Sequence, residues 1–210
     1  MGRLVVIEGL DGAGKRTLTE RLVTALTGVS VATIAFPRYG ASVPADLASD
    51  ALHGRMGDVV DSVHGMALLF ALDRLAAKDH LVDLLAGHDI VLADRYVASN
   101  AAYGAARLHQ GAGGEFVAWV RALEIERFGL PVPHAHLLLR VPVEVAASRA
   151  AHRENREARA RDTFESDDGL QARCARVYDE LAETDWLAPW HVVDGTVAQD
   201  MPVLAKVLLA

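Results

Sequence analysis

The chain is poor in cysteine, lysine and asparagine, carries no surplus of positive charge and has no long apolar run. Cys174 is the one cysteine among 210 residues. An intrachain disulfide is therefore excluded, a zinc site of paired cysteines has no basis, and a reducing compartment is expected. The formal net charge is −7 and the pI about 5.7. A protein that tracks nucleic-acid phosphates needs a basic face, so no nucleic-acid partner is expected. A small phosphorylated ligand needs only a local basic pocket, and that stays open. No stretch approaches the ~18 apolar residues of a membrane span. The apolar part of the opening MGRLVVIEG is too short for a signal peptide, and a cytoplasmic protein with no membrane partner is expected. Lysine occurs only at positions 15, 78 and 206, so a lysine in a glycine-rich loop is not there through abundance. The two asparagines, Asn100 and Asn155, do not open the N-K-x-D of a guanine-specific switch.

What is present is a globular composition, 51% hydrophobic and 23% charged, enough for a core in a single domain over residues 1–210 with a lid near 149–165. Apolar β-branched runs alternate with helical stretches. Strands are expected at Leu4 to Ile7, Val31 to Phe36, Ile90 to Ala93, His136 to Val141 and His191 to Val193. Helices are expected at Lys15 to Leu26, Ser62 to Leu85, Gly114 to Phe128, from Val143 to Arg153, Leu170 to Glu183 and Val197 to Leu209. This order implies an α/β architecture of three layers, a parallel sheet between helices, with strands buried on both faces. Ligands then sit beyond the carboxyl ends of the strands. His134 and His136 alternate on one strand without a third ligand at a useful spacing, and they read as strand or surface histidines.

After the first strand comes Gly9-Leu10-Asp11-Gly12-Ala13-Gly14-Lys15-Arg16-Thr17, with the G-x-x-x-x-G-K spacing of a phosphate loop placed between strand and helix. Glycines turn backbone N–H groups toward an anion, the helix N-terminus adds partial positive charge, and Lys15 reaches the β- and γ-phosphates of ATP. The fold class is thus that of a P-loop NTPase. Gly9, Asp11, Gly12, Ala13, Gly14, Lys15, Arg16 and Thr17 are ATP-binding candidates. Arg16 departs from the motif, because the Ser or Thr that would hold Mg²⁺ belongs there and a guanidinium offers no lone pair. Mg²⁺ must find other oxygens, Asp11 or another carboxylate, with phosphate and water completing its shell. Arg16 is either a neutraliser of phosphate charge or a solvated helix arginine.

A kinase needs a second phosphate pocket and a closing lid. Asp94-Arg95-Tyr96 ends the third strand: the aspartate can orient a hydrated Mg²⁺, and Arg95 can grip an acceptor phosphate with its fork. Phe36-Pro37-Arg38-Tyr39 ends the second strand and should face the same crevice. Arg149, Arg153, Arg156, Arg159 and Arg161 crowd one short stretch, the first three on one helical face. Such a flap can place positive charge on a migrating phosphoryl group and exclude water.

The segments GLDGAGKRT, FPRYG, FALDR, DRYVASNAAY and RARDTFE, in that order, resemble the bacterial thymidylate kinases, those of mycobacteria in particular. The resemblance implies transfer of the ATP γ-phosphoryl group to dTMP, with Mg²⁺ as cofactor and a homodimeric assembly. It implies that Phe70 stacks on thymine, that Arg74 donates to its O4, and that Asn100 serves O4 and N3–H. Tyr103 would exclude a ribose 2′-OH, and Tyr39 and Arg95 would hold the acceptor phosphate. Phe36 and Phe164 complete the dTMP set. Asp11 would lie near the metal, with Glu165 as a second metal candidate. Some members of the family carry a catalytic arginine in the phosphate loop, where this chain has Gly12, and others carry arginines in the lid. The chain groups with the latter, with Arg153 as the catalytic lid arginine and Arg149 as the alternative, beside catalytic Lys15, Arg95 and Asp11. The competing readings are a kinase of another nucleoside or nucleotide, and a P-loop regulator without an acceptor site.

Overall fold

The computed structural model describes residues 2–157, 163–164 and 167–209, with the side chains of 151, 153–157 and 168 left aside. Five parallel strands form one sheet: β1 (Arg3–Glu8), β2 (Val31–Ala35), β3 (Ile90–Asp94), β4 (Ala135–Arg140) and β5 (Trp190–Asp194), in the order β2-β3-β1-β4-β5. Every pairing is parallel, with Ile7 beside Asp94 and Glu8 beside Leu138. The carboxyl ends of β1 and β3 thereby meet at one edge, where the phosphate loop and the Asp94-Arg95-Tyr96 turn both emerge. Leu4 to Ile7 and Ile90 to Ala93 are fully buried, as expected of central parallel strands. The expectation of burial on both faces fails for β2, whose residues alternate between partial and full exposure. It lies at the edge of the sheet and has a neighbour on one side only.

The helices are α1 (Lys15–Ala25), α2 (Val43–Leu52), α3 (Val63–Ala76), α4 (Lys78–Gly87), α5 (Val97–Arg107), α6 (Glu115–Val120), α7 (Val143–Glu157), α8 (Asp168–Glu183) and α9 (Met201–Leu209). The single helix expected over Ser62 to Leu85 is two, broken at Ala77. There the Asp73 carbonyl is shared between the Ala77 N–H and the Arg38 guanidinium, and the Ala77 N–H also turns to the Arg74 carbonyl. The helix expected to Phe128 is α-helical only to Val120. Arg121–Arg127 widens into π turns, closed by a bond from Phe128 N to the carbonyl of Leu123. The last helix starts at Met201 rather than Val197. Asp200 caps it by accepting from Val203 N, and Asp194 holds Thr196 and Gln199 in a turn before it. Helices α2 and α5 were not anticipated.

His136 lies in β4, fully buried and stacked on Trp190 at 4.2 Å, and neither ring nitrogen has a hydrogen-bond partner among the described residues. Burial pushes its pKa down to about 3. A depressed folded-state pKa keeps its stability contribution above the unfolded value near 6.5 and loses it as pH falls toward 3. His136→Phe should therefore remove part of the acid sensitivity. Relative to wild type, its stability measured by denaturant unfolding should gain roughly 2 kcal/mol between pH 7.5 and pH 5.

Candidate active site

The phosphate loop adopts backbone conformations that its glycines alone tolerate easily: Gly9, Gly12 and Gly14 have φ of 142°, 80° and 103°. Gly14 sits at the N-terminus of α1, whose first-turn N–H groups are left to face a ligand. Space matters as much as torsion at Gly12, because a Cβ there would lie 2.2 Å from the Ala146 carbonyl oxygen of α7. Arg149, one turn further along α7, donates to the carbonyls of Ala13 and Gly195 at 3.1 and 3.2 Å. This ties α7 to the loop.

Lys15 is buried, and its ammonium donates to the carbonyls of Gly9 and Leu10 at 3.2 and 2.9 Å. Burial and then the Arg95 charge push it down to about 8, while Asp11, Asp94 and Glu8 pull the other way. Arg16 behaves as a solvated helix arginine. Its side chain is 84% exposed and pairs with Glu20 one turn on. The Thr17 side chain is exposed as well. At both positions the backbone N–H groups of the first turn are the donors that the fold itself fixes for a phosphate.

Facing the loop, Arg95 sits in the left-handed region with φ of 65°. One arm of its guanidinium reaches Asp11 Oδ1 at 2.6 Å, and the other donates to Ser99 Oγ at 2.9 Å and the Tyr178 hydroxyl at 3.3 Å. Tyr103 donates to the second Asp11 oxygen at 2.6 Å. Burial alone would raise the Asp11 carboxyl. The charges of Arg95 and Lys15 and the Tyr103 hydrogen bond overturn that and hold it well below the usual carboxylate range. Behind this pair lies Glu8, fully buried and raised by that burial, which accepts from Tyr96 N, Ser99 N, Ser99 Oγ and Tyr178. Glu8 thus fixes the turn that aims Arg95.

A cavity of about 290 Å³ runs from this cluster to the side of α3. Asp11, Lys15, Asp94 and Arg95 line one end, and Phe70, Arg74 and Asn100 the other, with Phe36, Tyr39, Tyr103 and Phe164 also in its wall. Phe164 stacks on Tyr103 at 6.3 Å and receives the Arg107 guanidinium over its ring at 4.7 Å. Phe36 is buried against Tyr96, whereas Tyr39 is 44% exposed at the rim. Its loop is fastened to α3 by Arg38, which donates to Asp73 from its backbone N–H and its guanidinium. Arg74 is buried in a two-point pair with Glu124 at 2.6 and 2.8 Å. Both N–H bonds of the Asn100 amide go to protein acceptors, the Ala67 carbonyl and Glu124. Asn100 therefore cannot also donate to a base carbonyl. Its oxygen alone remains for a ligand, which corrects the expectation that it serves both O4 and N3–H.

A sequence model of the family Thymidylate kinase matches residues 7–196. The chain belongs to the thymidylate kinase family. It is 53% identical over 197 residues to the Thymidylate kinase of Mycobacterium tuberculosis (strain H37Rv), covering 92% of each chain. It is 34% identical over 202 residues to that of Xanthomonas oryzae pv. oryzae (strain PXO99A), covering 95% of this chain and 78% of that one. It is 32% identical over 175 residues to that of Caenorhabditis elegans, covering 74% and 70%. The thymidylate kinase fold seen here, a parallel sheet flanked by helices, is the three-layer P-loop architecture that the motif order implied.

The expected site residues on described side chains gather around one cavity and the loop beside it, apart from the side chains of Arg16 and Thr17. Glu165, Arg159, Arg161 and the side chains of Arg153 and Arg156 lie outside the described residues. Sequence reasoning missed Asp73, Ser99, Glu124 and Tyr178, which touch or brace the expected residues, and gave Glu8, the first residue after the expected strand Leu4 to Ile7, no role of its own. Glu124 had a signal: with Phe116, Val117 and Val120 it falls on the buried stripe of the helix, and an acid on such a stripe needs a buried partner. If the Gly12 contact with α7 matters, Gly12→Ala should lower turnover at least tenfold. It should also cost about 1–3 kcal/mol of stability, through overpacking and the positive φ. Product formation and thermal denaturation read the two effects separately.

Proposed function

We propose that this chain transfers the γ-phosphoryl group of ATP to dTMP, giving dTDP and ADP. The observation that carries the reading is the continuous cavity joining the Lys15–Asp11–Arg95 cluster to the Phe70–Arg74–Asn100 wall. Membership of the thymidylate kinase family and the names of the relatives support the choice of acceptor. A nucleotide regulator needs no second anion site, and Arg95 lies where one would be.

In this reading the phosphate loop and Lys15 hold the β- and γ-phosphates, and Arg95 with Tyr39 holds the dTMP phosphate. An oxygen of that phosphate attacks the γ-phosphorus in line, the bond to the β-phosphate oxygen breaks, and ADP leaves. No protein nucleophile is required, since positioning and charge neutralisation supply the catalysis. Tyr103, hydrogen-bonded to Asp11, crowds the sugar, and Phe70 stacks on the base while Arg74 donates to O4. Arg149 braces the loop, and Arg153 is assigned the transferred phosphate as the lid closes.

Mg²⁺ fits the donor set. The carboxylate of Asp94 lines the cavity with no hydrogen-bond donor among the described residues, and Asp11 lies in the same wall. Together with phosphate oxygens and water these suit a small divalent cation, which when bound neutralises charge on the phosphates. Glu165 remains the further candidate. The working unit is taken to be a homodimer in the cytoplasm, a reading that rests on the family resemblance.

The test is ADP production from Mg-ATP with dTMP, dUMP, thymidine, AMP, CMP or no acceptor. Strong dependence on dTMP is expected. Turnover with another acceptor would overturn the base assignment, and nucleotide binding without acceptor-dependent turnover would favour a regulator. Lys15→Ala should cut kcat on the order of 10²–10³-fold, the scale of losing one transition-state donor.

A further inference from the structure

Behind Arg74 and Asn100, which line the base-binding end of the cavity, lies a buried acid. Glu124 is fully buried in the π-helical segment Arg121–Arg127 and accepts three hydrogen bonds: two from Arg74 and one from Asn100. A carboxylate only accepts, and so does the Ala67 carbonyl that takes the other Asn100 N–H. Between two pure acceptors the Asn100 amide has one stable orientation, nitrogen inward and oxygen toward the cavity. The same carboxylate occupies Nε and Nη2 of Arg74 and leaves Nη1 without a partner among the described residues. Neither Nη1 nor Asn100 Oδ1 is sealed from solvent, and both residues line the cavity.

We propose that Glu124 is a positioning residue that sets base choice, presenting one fixed donor (Arg74 Nη1) and one fixed acceptor (Asn100 Oδ1) to the edge of the incoming pyrimidine. A thymine or uracil edge offers a carbonyl acceptor at C4 and an N3–H donor and matches both. A cytosine edge offers an amino donor and a bare N3 acceptor and meets each with its own kind. Leaving both buried groups unpaired is the kind of mismatch that discriminates strongly, whereas an added or missing methyl group discriminates weakly. A free asparagine could turn its amide over to accommodate cytosine; Glu124 forbids that turn. The inference rests on the dTMP reading of this cavity and deepens it.

Glu124→Gln keeps the volume but replaces one acceptor oxygen with a donor amide, so the pairing with Arg74 and Asn100 can no longer be satisfied at every point and the Asn100 orientation rests on the Ala67 carbonyl alone. The measurement is kcat/KM for dTMP and for 5-methyl-dCMP, which differ only at the pairing edge, in wild type, Glu124→Gln and Glu124→Asp. The expected result is a fall of at least tenfold in the preference for dTMP in Glu124→Gln. That loss should appear mainly in KM for the acceptor, with KM for ATP unchanged, and Glu124→Asp should restore most of the preference. A merely structural role would lower stability or activity with both acceptors together and leave the preference unchanged, and that result would overturn the inference. Should Glu124→Gln not be recovered folded, wild type decides: equal use of 5-methyl-dCMP and dTMP sinks the proposal, and strong rejection of 5-methyl-dCMP supports it. Wild type without any dTMP-dependent ADP formation would instead remove the function reading itself, so the two failures are distinguishable.

Discussion

The ion pair between Asp11 and Arg95 is the contact on which the site depends, because it joins the two loops that would hold the two phosphates. Asp11 belongs to the phosphate loop after β1, and Arg95 to the turn after β3. The parallel register that sets Ile7 beside Asp94 brings them to one edge. A guanidinium this enclosed has to be paired, since leaving it unpaired after burial would cost several kcal/mol. Asp11 pairs it on one side, and the Glu8–Ser99–Tyr178 cluster holds it from behind. The left-handed backbone at Arg95 is held in place by Glu8, which accepts from the N–H groups of Tyr96 and Ser99. The result is an arginine whose direction is set before any phosphate arrives, which is how a fixed dipole or charge saves reorganisation during reaction.

The opposite end of the cavity repeats this design with different partners. Arg38 is held by Asp73, and Arg74 by Glu124. In each case the cation is anchored by an acid that is almost wholly buried and comes from a distant part of the chain. Burial by itself would lower the Arg74 pKa, and the Glu124 charge more than offsets that. The rigidity has a structural correlate in α3. Asp73 accepts from Arg38 through both its side chain and its carbonyl, and the helix breaks four residues later at Ala77. The pocket wall and the break in the helix therefore share one cause.

The sequence was legible wherever a function is carried by a local pattern. The phosphate loop is contiguous, and its strand and helix neighbours announce themselves by apolar runs. The Phe70–Arg74 pair could be placed on one helical face from spacing alone. What was not legible depends on partners far apart in the chain. Nothing near Asp73 indicates Arg38, and nothing near Glu8 indicates Tyr178, 170 residues away. The amide of Asn100 was read as both donor and acceptor because its chemistry permits both; its neighbours remove one of the two. The break in the helix at Ala77 was invisible for the same reason, since a uniform helical period contains no sign of a carbonyl claimed by a remote guanidinium, and the period does not mark the widening after Val120 either. Exposure of the Arg16 side chain, in contrast, was one of two readings its position allowed, and its i,i+4 spacing to Glu20 favours it.

The packing around Gly12 bears on the choice between a phosphate-loop and a lid arginine that the family resemblance raised for this chain. The α7 backbone passes so close to Gly12 that even a methyl group would overlap the Ala146 carbonyl. A guanidinium side chain there would need α7 to move away. Yet α7 is the helix that carries Arg149 against Ala13 and leads on toward Arg153. An arginine at position 12 would thus displace the helix that holds Arg149 against the loop. With this backbone the two arrangements exclude each other, and the glycine is the condition under which α7 can approach the loop at all. Gly12 and the close approach of α7 thus depend on one another, and Arg149 is the side chain that uses that approach to reach the loop.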